Sequence, residues 1–206
     1  TRKAFSIWVT SNCNTTSGAV KRLKIAQLLQ QAGLRYDGYG KCHDDMKNKI
    51  NDYPEYKFTR KMQWKEGAPF ISKYKFYFAF ENAIHCNDYL SEKFWKNSLS
   101  TDLVPIVYGT HKDDVKKMAP PNSYIHVEDY YDERRSYNKL HNLVNYLNYL
   151  DKNDTAYLEY HAWRWSVPKY FHEKDTLKWA NERRNCGICQ KLLQMRRENY
   201  PTRPIE

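Results

Sequence analysis

A predominantly aromatic and apolar run constrains the fold of this chain more than any other feature. Residues Tyr74–Phe80 read Tyr-Lys-Phe-Tyr-Phe-Ala-Phe, a composition typical of a buried β-strand. A loop follows, and the apolar spacing then predicts a helix over Tyr89–Leu99 with Asp88 as its N-cap. Leu103–Tyr108 is a second apolar strand. Because a strand, a crossover helix and a strand form a βαβ unit, we expect the two strands to be parallel.

The same alternation of strands and helices continues on both sides of this unit. We predict three more strands and two more helices, the strands at Phe5–Val9, Tyr36–Tyr39 and Tyr124–Val127 and the helices at Val20–Gln31 and Tyr137–Leu150. Such a pattern predicts an α/β fold with a Rossmann-like, doubly wound parallel sheet. A length of 206 residues fits one domain, with a C-terminal extension from about residue 160.

Ligands of open parallel sheets bind beyond the carboxyl ends of the strands. We therefore expect the loops Thr10–Gly18, Gly40–Asp45 and Glu81–Asp88 to meet at a ligand site. A helix beginning at Tyr89 would direct the positive end of its dipole there, a favourable place for a phosphate. The chain contains neither GxGxxG nor GxxxxGK, so nothing indicates a dehydrogenase or a P-loop enzyme.

Charge alone indicates a phosphate-bearing or polyanionic ligand, because the formal net charge is +10. The basic residues are spread along the chain and mixed with 24 acidic ones. That distribution is less typical of a nucleic-acid footprint, so we expect no nucleic-acid partner. The acidic pairs Asp44-Asp45 and Asp113-Asp114 lack the DxD arrangement that holds a metal on nucleotide sugars, and we expect no metal site.

Cysteines and glycosylation sequons together favour a secretory compartment, where disulfides persist. The sequons lie at Asn14 and Asn153, and the chain has five cysteines. Cys13 and Cys42 follow two strands that we expect to be neighbours, so a bridge between them is geometrically reasonable. No run is long and apolar enough to cross a bilayer. Since the chain opens directly on a predicted strand, we expect it to be a piece of a longer protein.

Three segments in order resemble the signature of the alpha-1,3-fucosyltransferase family: Tyr74–Asn82, Asp88–Lys93 and Val104–Gly109. The similarity extends outward to five further places, namely Trp8–Cys13, Tyr39–Cys42, Tyr124–Tyr130, Tyr157-Leu158 with Trp163-Arg164, and the terminal pair Cys186 and Cys189. It therefore covers almost the whole chain. Leu90 and Ser91 stand where the family usually has Val or Ile and Thr, and the preceding loop is one residue longer than usual.

The resemblance implies the C-terminal, donor-binding half of a two-domain, GT-B-type glycosyltransferase. Such an enzyme transfers fucose from GDP-fucose, with inversion and without a metal, in alpha-1,3 linkage to N-acetylglucosamine of an N-glycan or glycolipid. By resemblance Arg22 and Lys93 would hold the diphosphate, Glu92 the ribose, and Asn82 and Tyr89 the nucleotide and sugar neighbourhood.

The resemblance also implies parts that this chain does not contain. The general base and most of the acceptor site would come from an N-terminal domain, and Cys186 and Cys189 would form bridges back to it. The whole protein would be a single-pass type II membrane protein of the Golgi lumen.

Other interpretations remain open at this point. Glu92 and Lys96 are spaced i, i+4, so Glu92 is also compatible with an ordinary surface ion pair. Arg22, flanked by Lys21 and Lys24, is equally compatible with a solvated helix arginine. At the level of function, the alternatives are an incomplete or inactive GDP-fucose-binding fragment and, less favoured, a basic nucleic-acid-binding module.

Overall fold

The computed structural model describes residues 4–43, 70–131 and 138–166. Its strands are β1 (Ala4–Val9), β2 (Asp37–Tyr39), β3 (Tyr74–Phe80), β4 (Val104–Tyr108) and β5 (Ile125–His126). Its helices are α1 (Ser17–Gln31), α2 (Glu92–Trp95), α3 (Lys112–Met118), α4 (Asn138–Lys152), α5 (Asp154–Glu159) and α6 (Trp163–Ser166). Single 3₁₀ turns lie at Leu99–Thr101 and Val127–Asp129.

The five strands form one parallel sheet in the order β2-β1-β3-β4-β5. In this order the chain passes outward in one direction from β1 and in the other direction from β3. The carboxyl ends of these two central strands therefore border the crevice at which open α/β sheets bind ligands. The predicted parallel βαβ unit is confirmed, with β3 paired to β4 through Phe78 and Ile106.

Helical segments cover both faces of the sheet, as predicted for a doubly wound fold. On one face the phenylalanines of β3 join a core cluster with apolar side chains of α1, α4 and α5, namely Phe76, Phe78, Phe80, Ile25, Leu29, Leu143, Leu147 and Tyr157. The alternate residue Tyr77 points to the opposite face, where its hydroxyl accepts a hydrogen bond from the side chain of Asn97 at 3.0 Å. Phe94 of α2 is fully buried on that side.

The predicted helix at Tyr89–Leu99 is wrong in its bounds. Only Glu92–Trp95 is α-helical, and its N-cap is Ser91, not Asp88. Tertiary hydrogen bonds hold the preceding residues outside the helix: the Asp88 amide donates to Asp114, and the Tyr89 carbonyl accepts from Thr110. A single helical turn has too small a dipole for the phosphate interpretation that rested on it.

Other bounds differ by a few residues, and three helices were missed, including the short helices α5 and α6. The first helix begins at Ser17, three residues earlier than predicted, because the Thr16 side chain caps it. Helix α3 was not predicted. The sheet and helices α1 to α5 belong to the unit Thr1–Trp163, the first of two compact units into which the chain divides. Most of the predicted C-terminal extension lies outside the described residues. The described helices include none with the length and apolarity that a bilayer crossing requires.

Candidate functional site at the carboxyl edge of the sheet

Two of the three predicted loops are joined where β1 and β2 end. Cys13 and Cys42 form a disulfide with their Cα atoms 5.4 Å apart, which confirms the predicted bridge. The Thr10 carbonyl accepts a hydrogen bond from the Cys42 amide at 3.3 Å. Gly40 has a φ of +97°, and a Cβ there would lie 2.3 Å from the Thr10 oxygen, so the turn requires glycine. The acidic pair at 44–45 and the cysteines at 186 and 189 lie outside the described residues.

The third loop is held against the N-terminus of α1. The Thr16 hydroxyl donates a 2.5 Å hydrogen bond to the carbonyl oxygen of Asn82. A Cβ on Gly18 would lie 2.5 Å from that same oxygen. The absence of a side chain at position 18 therefore allows α1 to approach the Asn82 backbone closely, and all the described loop segments converge on one edge.

Arg22 is buried, only 2% exposed, between the ends of β1 and β3. Its Nη1 donates to the carbonyl of Phe80 at 2.9 Å, and its Nη2 donates to the Thr10 hydroxyl at 2.8 Å and the Asn12 carbonyl at 2.6 Å. Because the side chain is buried, the interpretation of Arg22 as a solvated helix arginine is wrong. Its three acceptors are all uncharged. Its buried Nε has no hydrogen-bond partner among the described residues. Burial lowers the pKa of Arg22, and the negative charge of nearby Glu81 opposes that shift.

A buried carboxylate lies directly after β3. Glu81 is 0% exposed, and its Oε1 accepts from the Ser91 amide at 2.8 Å. Its Oε2 accepts from the Ser91 hydroxyl and from the Lys93 ammonium, both at 2.9 Å. The Lys93 ammonium also donates to the Ser91 hydroxyl at 2.8 Å. Lys93 is thus held at the carboxyl edge, with its side chain 16% exposed.

The remaining predicted site residues lie on the same edge. Tyr89 donates its hydroxyl hydrogen to the Asn82 side-chain oxygen at 2.8 Å. Glu92 is 61% exposed, and its carboxylate lies 3.5 Å from the Lys93 ammonium. The structure therefore brings Asn82 to Tyr89 and Glu92 to Lys93, and Arg22 contacts the end of β3 through the Phe80 carbonyl. Their proposed contacts with a donor remain predictions.

Glu81 received no role from its sequence context, although it belongs to the segment that carries the resemblance. The available signal was position: Glu81 directly follows a buried strand, at the edge where parallel sheets bind ligands. Its partners Ser91 and Lys93 are ten and twelve positions away. Separations of ten and twelve residues correspond to no helix or strand spacing, so these pairs can be identified only when the path of the loop is known.

Histidines border the site on the side of β5. His126 is buried, and its Nδ1 accepts from the Glu128 amide at 3.2 Å. The other ring nitrogen, Nε2, therefore carries the hydrogen and donates to the Thr110 carbonyl at 3.0 Å. Burial lowers the pKa of His126. His85 lies 2.8 Å from the Glu128 carboxylate. We found no group of three or more potential metal-ligating side chains within the described ranges.

The two sequons lie in different settings. Asn14 is exposed, two residues before the Thr16 cap. Asn153 caps α5, because its side-chain oxygen accepts from the Ala156 amide at 3.1 Å while its amide nitrogen donates to Tyr149. Capping uses only the oxygen of Asn153, which an N-linked sugar leaves in place.

The family is decided by a comparison that spans the chain. Residues 1–205 match the model of the family described as glycosyltransferase family 10 (fucosyltransferase), C-terminal. This chain belongs to glycosyltransferase family 10.

Curated relatives of this family 10 chain carry out related transfers. A Bos taurus 3-galactosyl-N-acetylglucosaminide 4-alpha-L-fucosyltransferase is 35% identical over 96% of this chain and 44% of the relative. A human 4-galactosyl-N-acetylglucosaminide 3-alpha-L-fucosyltransferase is 33% identical over 96% of this chain and 45% of the relative. The chain spans less than half the length of the curated relatives it matches.

A solved structure has the same fold as this family 10 chain. It is a crystal structure of an alpha1,3-fucosyltransferase with GDP, with a TM-score of 0.52 and 23% sequence identity. The match covers 77% of this chain and 38% of that one. The likeness confirms the predicted architecture, because the matched protein shares the parallel sheet and its flanking helices.

Proposed function

We propose that this chain binds GDP-fucose at the carboxyl edge of its sheet and supplies the donor site of an inverting fucosyltransferase. The observation that carries the proposal is the pair of cations Arg22 and Lys93, held at the ends of β1 and β3 in a family 10 chain. Asn82 and Tyr89, joined by a hydrogen bond, lie at the same edge.

The chemistry of the donor favours this arrangement. When the bond between fucose and GDP breaks, negative charge develops on the diphosphate, and fixed cations stabilise it. Arg22 provides such a charge, because its contacts are uncharged acceptors and an arginine stays protonated in spite of burial. Lys93 provides a second charge with one side toward solvent.

The assigned roles require one rearrangement. Glu92 is exposed and lies 3.5 Å from Lys93 in the described state. For Glu92 to bind the two hydroxyls of a ribose, it must turn away from Lys93, and a phosphate oxygen then takes its place beside the ammonium. The exposed position of Glu92 makes that exchange inexpensive, since water replaces the lost contact.

The remaining features of the reaction are extensions of the same proposal. We infer transfer in alpha-1,3 linkage to N-acetylglucosamine of a glycan, since the human relative is a 3-alpha-L-fucosyltransferase named for an N-acetylglucosaminide. The protein's own cations supply the counter-charge, so transfer needs no metal, and a chelator leaves donor binding unchanged. We infer a Golgi lumenal site, with N-glycans at Asn14 and Asn153; the disulfide of Cys13 and Cys42 supports an oxidising compartment.

Calorimetry tests the donor assignment. GDP is expected to bind the chain more tightly than UDP or ADP. Lys93→Ala is expected to weaken GDP binding by about 1–3 kcal/mol, the order of a lost charge-assisted hydrogen bond. The matched control is Lys116→Ala, an exposed lysine of α3, which leaves the affinity for GDP unchanged. Equal affinity for all three nucleotides, or steeply salt-dependent binding of nucleic acid instead, contradicts the proposal.

A further inference from the structure

Glu81 is a fully buried carboxylate beside a site that we assign to an anion. Its position is unusual, because a buried charge is costly unless it is paired and hydrogen-bonded. It also places a negative charge next to the cations that would hold a diphosphate. A purely electrostatic view of the site would therefore exclude a carboxylate there.

The hydrogen bonds of Glu81 explain its presence. Within the described residues, the hydrogen bonds to its two oxygens all come from one short turn, from the Ser91 amide, the Ser91 hydroxyl and the Lys93 ammonium. An ammonium has three N–H donors. In Lys93, Glu81 takes one and the Ser91 hydroxyl takes a second. The only other acceptor described for Lys93 is exposed Glu92, at the longer distance of 3.5 Å.

We propose that Glu81 is a positioning residue for the donor site: it fixes the Lys93 ammonium so that its third N–H is presented to the diphosphate. The inference rests on the proposed function of Lys93. A free lysine side chain loses rotamer entropy when a ligand orders it. Glu81 and Ser91 order Lys93 before the ligand arrives, which removes that cost from binding.

Positioning and charge competition predict opposite signs. If Glu81 only competes with the diphosphate for Lys93, then removal of its charge tightens the binding of GDP. If Glu81 positions Lys93, the same change weakens the binding of GDP. A role confined to folding gives a third pattern, because it affects every ligand of the site and does not depend on Lys93.

The experiment uses Glu81→Gln in the full chain, with thermal unfolding as a check of folding. Glutamine keeps the shape and the acceptor for the Ser91 amide but loses the ion pair with Lys93. We expect GDP affinity to fall by about tenfold, because Lys93 loses the charge-assisted hydrogen bond that orients its ammonium. Affinity for guanosine, which has no phosphates and is measured by ligand-observed NMR, is expected to be unchanged. In a Lys93→Ala background, Glu81→Gln should alter GDP affinity by less than about twofold.

Ser91→Ala is the second variant, and it keeps the proposal testable if Glu81→Gln does not fold. It removes the hydroxyl that links Glu81 to Lys93 and leaves every charge in place. We expect GDP affinity to fall by about threefold, with guanosine binding unchanged.

Several outcomes overturn the inference. The first is unchanged or tighter binding of GDP by Glu81→Gln. The second is an equal loss of affinity for GDP and for guanosine. The third is a loss of GDP affinity that Glu81→Gln still causes in the Lys93→Ala background. If these occur while wild type binds GDP and Lys93→Ala weakens it, the positioning role fails and the proposed function stands. Absence of GDP binding by wild type overturns both.

Discussion

Two buried cations lie at opposite ends of β3 and have opposite surroundings. At the amino end, the Lys75 ammonium lies 3.2 Å from the Asp151 carboxylate and 3.4 Å from that of Asp154. It also donates to the Asp151 carbonyl at 2.5 Å and lies 5.4 Å from the centre of the Tyr157 ring. At the carboxyl end, Arg22 donates only to uncharged oxygens within the described part of the chain.

The difference in surroundings indicates that the cation at the amino end of β3 has a structural role, whereas we propose a binding role for the one at the carboxyl end. The charge of Lys75 is neutralised by two carboxylates, so it ties β3 to the junction of α4 and α5. The charge of Arg22 is held by uncharged acceptors and has no direct carboxylate contact among the described residues, and we propose that it stabilises a bound anion. Burial alone does not distinguish the two residues; the chemistry of their acceptors does.

The largest expected effect comes from the disulfide of the carboxyl end. Replacing Cys13 and Cys42 together by Ser is expected to lower the free energy of unfolding by about 3–4 kcal/mol, because the bridge closes a long loop in the unfolded chain. The sequence separation is 29 residues. Denaturant unfolding measures the change, and Cys86→Ser, at an exposed free cysteine, is the control. A loss below about 1 kcal/mol would mean that hydrogen bonds alone hold this edge.

Arg22→Met tests whether Arg22, at the carboxyl end of β3, contributes both to the stability of the fold and to the binding of GDP. We expect the free energy of unfolding to fall by about 2–3 kcal/mol, since carbonyls of two loops lose a charged donor, and GDP binding to be lost. Arg22→Lys is the matched variant; one ammonium cannot span the same three acceptors, so it restores little of either property. Denaturant unfolding and calorimetry give the two readouts. Reduced stability with full GDP affinity would mean that Arg22, like Lys75, has a structural role only.

Lys75→Met tests the amino end. Methionine keeps the packing against Tyr157 and removes the charge, and both carboxylates can turn to solvent because Asp154 is 77% exposed and Asp151 32%. The expected loss in the free energy of unfolding is about 1–2 kcal/mol, with GDP affinity unchanged. Lys116→Met serves as the exposed control. Any clear loss of GDP affinity would break the proposed division between the two ends.

The smallest expected effect is a pH dependence at the carboxyl end. Burial lowers the pKa of His126 and of His43, so the folded state disfavours their protonated forms. Their contribution to stability is present above the ordinary histidine pKa of about 6.5 and declines as the pH falls below it. His126→Gln is expected to flatten the decline in unfolding free energy between about pH 7.5 and 5.5. An unaltered slope would assign the decline to other groups.

Much of the sheet was predictable because its signal is local. Apart from Lys75, the run Tyr74–Phe80 and the strand at 104–108 are aromatic or apolar on both faces, a pattern typical of a buried central strand. Parallel pairing then followed from the connection between them, and the ligand edge followed from parallel pairing. The bridge between Cys13 and Cys42 was predictable for the same reason, since both cysteines follow neighbouring strands.

The sequence by itself therefore determined the α/β class, the family and the edge of the sheet at which we propose that a ligand binds. Only the tertiary structure decided that the helix at 92–95 is one turn long, since contacts from Asp114 and Thr110 hold the residues before it. It also decided that Arg22 is buried and that Lys93 is held by Glu81. The physical reason is that a charged side chain has the same local pattern whether it faces water or a distant partner. Its environment depends on loops that meet from separate parts of the chain.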